Sequence, residues 1–188
     1  MAEDDATGGA AQQQGQQGQE KQQLAIRKIY LRDLSFEVPD APAIFTGEWS
    51  PETTVDLDTR SREISEGVYE TILRVTVTAK QGDKTAYLCE VEQGGVFIIS
   101  GFEGQTLDML LGSYCPAQLF PFVREAISDV VAKGGFPQMV LAPVNFEALY
   151  MQRRRRMQER QEQDQAQAQG DAGNADSAVG ADDGSADR

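Results

Sequence analysis

The sequence contains no histidine, only two cysteines and one tryptophan among 188 residues, and no apolar run near the length that spans a bilayer. A membrane-crossing helix needs about 20 consecutive apolar residues, and no segment supplies them. The absence of histidine removes the usual general base, metal ligand and triad member in one step. Cys89 and Cys115 stand far apart, without C-x-x-C spacing, and two thiols fall short of the roughly four ligands of a closed zinc site. No glycine-rich loop opens a helix after a strand in the manner of a phosphate cradle. The acids alternate along segments that read as strands, on what should be a solvated face, which disfavours the raised pKa that carboxylate catalysis requires. The residues therefore imply no enzyme, no metal and no cofactor.

Basic residues are also scarce: 17 Lys and Arg stand against 30 Asp and Glu, a formal net charge of −13. Phosphate neutralisation needs clustered cations, so nucleic acid is a poor partner and a basic protein a better one. The start, MAEDDATGGAAQQQ, lacks the basic residues and apolar core of a secretory signal. A cytoplasmic location is expected, and with it two buried, reduced thiols.

Composition divides the chain into three. Residues 1–23 form a Gln-rich tail with almost nothing to bury and are expected to be disordered. Residues 24–152 hold most of the apolar content and are long enough for one core. Residues 153–188 begin with the basic run Arg153–Arg156 and continue as an acidic tail, also expected to be disordered.

Within the central part, period-two alternation predicts a meander of about four antiparallel strands. Leu34, Phe36 and Val38 oppose Asp33, Ser35 and Glu37 in Ile29–Val38. Val55 and Leu57 oppose Asp56 and Asp58 in Thr53–Arg62; Tyr69, Leu73, Val75 and Val77 oppose Glu70, Arg74 and Thr76 in Val68–Lys80. After a Gln81–Lys84 hairpin turn, Tyr87, Cys89 and Val91 oppose Leu88, Glu90 and Glu92 in Thr85–Gln93. Gly94-Gly95 predicts a bulge, with Val96–Ile99 extending the last strand. Pro39 and Pro42 break the pairing after the first strand, and Val38–Glu52 becomes a long connection carrying Ile44, Phe45 and Trp49.

A different period follows. Leu119, Phe122, Val123, Ala126, Ile127, Val130 and Val131 mark an amphipathic helix over Pro116–Lys133, ended by Gly134-Gly135, with Pro121 as a first turn or a kink. Asn145 can cap a last helix through Phe146, Leu149 and Tyr150 that runs into Arg153–Arg156. Strands followed by helices give an α+β fold.

Two surfaces are candidates for function. Asp33, Glu37, Asp56, Asp58, Glu70, Glu90 and Glu92 share the strand parity opposite the apolar residues, so one sheet face should gather negative charge, with Leu88 exposed among the acids. Like charges on neighbouring strands repel and are best tolerated where a basic partner relieves them. The second candidate is a groove lined by Phe45, Trp49, Phe122, Phe146 and Tyr150 between the long connection and a helix, suited to extended apolar peptide. Ordinary core packing of the same rings, and a merely solvated acidic face, are the plain alternatives.

The strings IYLRDLSFEVPDAPAIF, EWSPE, VDLDT, VYETILRVTVTAK, YLCEVEQGGVF, SYCPAQLFPFVREAI and GGFPQMVLAPVNFEALY together resemble the SecB family of protein-export chaperones, over roughly Ile26 to Tyr150. The resemblance implies a four-stranded antiparallel sheet with a crossover loop and two helices, assembled as a dimer of dimers. It implies a protein that holds unfolded secretory precursors without ATP and passes them to the SecA motor ATPase. The positions matching the family's motor-binding face are Asp33, Glu37, Leu88 and Glu90, which would meet the motor's basic zinc-binding tail; any zinc belongs to that partner. The client groove would include Phe45, Trp49, Phe122, Phe146 and Tyr150, with Val55 as a neighbour. A SecB-like chaperone dedicated to one client, such as an antitoxin, is the rival reading, against which retention of the four motor-face residues argues. The Gln-rich start, the Arg153–Arg156 run and the acidic tail go beyond the family's motifs.

Overall fold

The computed structural model describes residues 22–175, with side chains to Gln163. The tail expected over residues 1–23 lies outside the described residues but for its last two, and residues 176–188 lie outside them entirely.

Four long strands, β1 (Gln23–Glu37), β2 (Glu52–Ser65), β3 (Val68–Gln81) and β4 (Lys84–Ser100), form one antiparallel sheet in the order β1-β4-β3-β2. The β3–β4 hairpin turns at Gly82, whose φ of 59° suits glycine, as the Gln81–Lys84 signal predicts. β1 pairs with β4 rather than with its sequence neighbour β2, so the Val38–Pro51 connection must cross the end of the sheet. A short 3-10 turn, Ala43–Thr46, holds Ile44 in the core on the way.

The alternation predicts the faces correctly. Leu73, Val75 and Val77 of β3 stand beside Val91 and Cys89 of β4, all fully buried, because one residue of slip would turn this whole apolar set outwards. The break at Gly94-Gly95 does not occur there: β4 runs straight through both glycines. In the β1–β4 pairing the irregularities fall in β1, between Ile26 and Lys28 and between Leu31 and Asp33, and two more lie between Glu63 and Ser65 of β2 and between Ala79 and Lys80 of β3. The glycines answer close approach instead. A Cβ on Gly95 would stand 2.6 Å from Phe97 and 2.8 Å from Leu119, and one on Gly94 would strike the Tyr30 ring.

The helices cover one face. α1 (Gly104–Met109) passes through a π turn (Leu110–Tyr114) into α2 (Cys115–Lys133), so the helical stretch starts a dozen residues before the predicted Pro116. Leu119, Val123, Ile127 and Val131, at i, i+4 spacing, form the buried stripe of α2 against β3 and β4. Burial of each such side chain contributes on the order of 1.5–3 kcal/mol. Pro121 sits inside α2, which tolerates it. α3 (Phe146–Ala175) begins where expected: the Asn145 side-chain oxygen accepts the Ala148 amide at 2.9 Å, and the helix then continues well beyond Arg156. Cys89 and Cys115 are buried free thiols, pushed by burial up to about 11 and about 12.

Candidate functional site: the outer sheet face and the aromatic cluster

Among the described residues, nothing covers the sheet face opposite the helices, and the strand register orders its charges into rows. Glu37 stands across from Leu88, which pairs on with Thr78. Ser35 stands across from Glu90, followed by Thr76 and Asp56; the Thr76 hydroxyl donates to Glu90 at 3.0 Å. Asp33 stands across from Glu92, followed by Arg74 and Asp58. Asp33, Glu37, Leu88 and Glu90 thus lie on adjacent strands within three adjacent rows, a patch of carboxylates around one leucine. α3 reaches the rim, where Arg153 stands 3.5 Å from Asp58.

Two of the expected acids do not belong to that patch. Glu70 and Glu92 are buried beneath a lattice of arginines and are neutralised by it. Arg60 donates to both Glu92 oxygens at 3.0 and 2.9 Å, Arg74 donates to Glu92, and Arg32 lies 3.3 Å from it. Arg62 donates to Glu70 at 2.6 Å, and the Tyr30 hydroxyl donates to the other Glu70 oxygen. The Tyr30 bond and Arg62 hold the Glu70 pKa below the ordinary carboxylate value, with burial opposing them. At Glu92 burial pushes upward most strongly, but the Arg74 bond and the charges of Arg60, Arg74 and Arg32 together outweigh it, and its pKa is also lowered. The face is therefore acidic at one end and not throughout. Arg60 and Arg62 share the parity of the acids, a signal the sequence offered. Arg32 does not: the irregularity between Leu31 and Asp33 is what brings it to the same side.

The six groove candidates separate into three places. Phe45 and Trp49 join Phe36, Tyr87 and Phe136 in one aromatic cluster at the end of the sheet. The rings of Phe45, Trp49 and Tyr87 each lie 5.0 Å from that of Phe136. Phe45 remains 48% exposed, whereas Tyr87 and Phe136 are buried. Val55 and Tyr150 line a cleft of about 290 Å³ between β2 and the first turns of α3, together with Leu57, Leu149 and the edge of Phe146. Phe146 is otherwise buried, its ring edge-on to Phe120 at 5.6 Å, so it packs the core more than it offers surface. Phe122, two residues from the buried Phe120, points to the other side of α2 and is 47% exposed. Strand parity turns Phe36 and Tyr87 to the apolar side but does not join them to Phe45 and Trp49, and Phe136 carries no periodic signal of its own. Only the Gly134-Gly135 pair before Phe136 hints at it, since a Cβ on Gly134 would collide with the Phe36 ring.

Comparison with known proteins places the chain. Residues 16–157 match the SecB family profile, described as preprotein translocase subunit SecB. The chain belongs to the SecB family. Protein-export protein SecB of Alkalilimnicola ehrlichii is 60% identical over 78% of this chain and 77% of its own length. That of Nitrosococcus oceani is 51% identical over 83% of this chain and 93% of its own. SecB-family proteins are protein-export chaperones and not enzymes. Among solved structures, a SecB-like chaperone of Mycobacterium tuberculosis in complex with a ChAD peptide from an antitoxin aligns with a TM-score of 0.53. It is 15% identical, covers 64% of this chain and 90% of its own, and speaks for the fold. No helix among the described residues is long and apolar enough to cross a membrane.

Proposed function

We propose that this chain is an ATP-independent cytoplasmic chaperone that binds unfolded secretory precursors, keeps them competent for translocation and delivers them to the SecA motor ATPase. The observation that carries the motor-docking part is the patch of Asp33, Glu37, Leu88 and Glu90, gathered on the outer face away from the core. The motor's basic zinc-binding tail supplies the opposite charge, which speeds encounter and makes the contact salt-sensitive. Client holding is assigned to other surfaces: the Phe45 and Trp49 end of the aromatic cluster, the cleft at Val55, Phe146 and Tyr150, and the exposed ring of Phe122. Each offers an unfolded segment a site to bury apolar area, worth about 25 cal/mol per Å², while a folded client presents little to bury. Several weak sites on one assembly gain affinity through effective concentration.

The assembly in this reading is a homotetramer built as a dimer of dimers. β1 is an edge strand with Leu24, Ile26, Leu31 and Leu34 exposed, an open apolar edge that a second copy would cover. The experiment is charge reversal. Asp33→Lys with Glu90→Lys should abolish motor binding and leave suppression of precursor aggregation intact. Motor binding that survives the double reversal overturns the docking face. A chaperone dedicated to one client, such as an antitoxin, is the second reading. The solved neighbour holding an antitoxin-derived peptide favours it, and 51–60% identity to export proteins weighs against it.

A further inference from the structure

Beyond the acidic patch, the same sheet face changes sign. In the next two rows towards the other end of the strands stand Lys28, Arg60 and Arg62, with Glu70 as the only carboxylate of those rows, and Arg32, at the irregularity before Asp33, turns its guanidinium to the same side between Glu70 and Glu92. Arg62 and Arg60 pair with buried carboxylates, yet their side chains remain 70% and 49% exposed. Lys28 is exposed and takes part in no ion pair among the described residues. Consecutive rows are about 7 Å apart, so the centres of the acidic and basic halves lie roughly 15 Å from one another. That exceeds the Debye length of about 8 Å at physiological ionic strength, and a partner meets two poles, not an average.

We infer that the outer sheet face is a bipolar docking surface: the motor that seats a basic segment on the acidic half seats an acidic polypeptide segment, outside its zinc-binding tail, on Lys28, Arg32, Arg60 and Arg62. The inference rests on the motor-docking reading above and extends it to the other half of the face. The partner is a polypeptide because the acidic rows lie immediately beside the basic ones. A uniformly anionic surface such as a bilayer would be repelled by the first half as it approached the second, whereas a polypeptide places each sign where it is matched. Arg60 stands across from the buried Ile72, and the ion pairs of Arg60 with Glu92 and of Arg62 with Glu70 fix both guanidinium groups in place.

The test compares the full motor with its isolated zinc-binding tail. The double variant Arg60→Glu, Arg62→Glu should bind the full motor about tenfold more weakly, while binding the isolated tail as well as or better than the parent. Because those arginines also cover Glu70 and Glu92, Lys28→Glu serves as the second variant, with no pair to break and an expected loss of about threefold. Unchanged motor affinity in both variants, with binding still abolished by Asp33→Lys and Glu90→Lys, overturns the bipolar surface and leaves the acidic dock standing. Motor binding that is indifferent to both halves overturns the docking reading itself. Binding to phosphatidylglycerol vesicles that Lys28→Glu removes assigns the basic half to lipid and overturns the polypeptide.

Discussion

The rings of Trp49 and Phe136 lie 5.0 Å apart at 42°, and this contact ties the crossover connection to the segment that follows α2. It also divides the aromatic cluster by role. Phe136 and Tyr87 are buried and hold the end of the sheet, while Phe45, tilted against the same Phe136, keeps half its surface for something else. Phe45→Ala should therefore weaken capture of a denatured precursor about fivefold, roughly 1 kcal/mol, with little change in melting temperature. Trp49→Ala should weaken capture and also lower stability, because its ring packs on both Phe136 and Tyr87. Competition binding with a labelled unfolded client, alongside thermal melts, checks both. Unchanged capture in both variants removes the cluster from client binding.

The arginine lattice makes stability depend on pH. Glu70 and Glu92 have folded pKa values lowered below the ordinary glutamate value of about 4.3, so the folded state favours their charged forms. Their contribution is complete above the unfolded pKa and is lost as pH falls through the folded values. Thermal midpoints should hold from neutrality to about pH 5 and then drop. Glu92→Gln, which keeps an acceptor for Arg74 and Arg60 but cannot titrate, should flatten that drop. A Glu92→Gln curve parallel to the parent's would show that the acid sensitivity arises elsewhere.

Gly94 and Gly95 make adjacent but separable predictions. Gly95→Ala drives a methyl group between Phe97 and Leu119, prising α2 from the sheet, and should cost about 1–3 kcal/mol in chemical denaturation. Gly94→Ala presses instead on the Tyr30 ring and should loosen its bond to Glu70 on the opposite face. The readout for the second is the acid limb of the stability curve, which should become shallower as Glu70 loses its donor and its folded pKa moves back towards the unfolded value.

Strand parity was legible because only one face of each strand is buried, and that alone places Asp33, Glu37, Leu88 and Glu90 on one side. What parity could not give was Arg32, which a local irregularity in β1 rotates to the acidic side. Arg60 and Arg62 were open to the same parity argument and change the character of the face once they are included. The π turn at Leu110–Tyr114 precedes the apolar periodicity that begins at Leu119, so no spacing in the sequence marked it. Gly112 is there for a tertiary reason: a Cβ would come within 2.5 Å of Tyr150. The five rings were identified as aromatic surface, but their separation into a cluster, a cleft and an isolated exposed ring depends on how α2 and α3 lie, which no spacing in the sequence encodes.

Buried thiols supply a probe of folding. With burial pushing Cys89 up to about 11 and Cys115 up to about 12, almost none of either is thiolate at neutral pH. Alkylation of the native protein should be far slower than of the urea-unfolded chain, for both cysteines. Rapid native modification of one of them, mapped by peptide mass, would contradict the packing described around it.

The most direct measurement follows complex mass by light scattering as the purified protein is mixed with a non-native secretory precursor, with the motor, and with both, at low and at high salt. Separate surfaces for cargo and motor require a ternary complex at low salt, from which added salt releases the motor while the precursor stays bound. Mutually exclusive binding, or loss of both partners at the same salt concentration, would contradict the account.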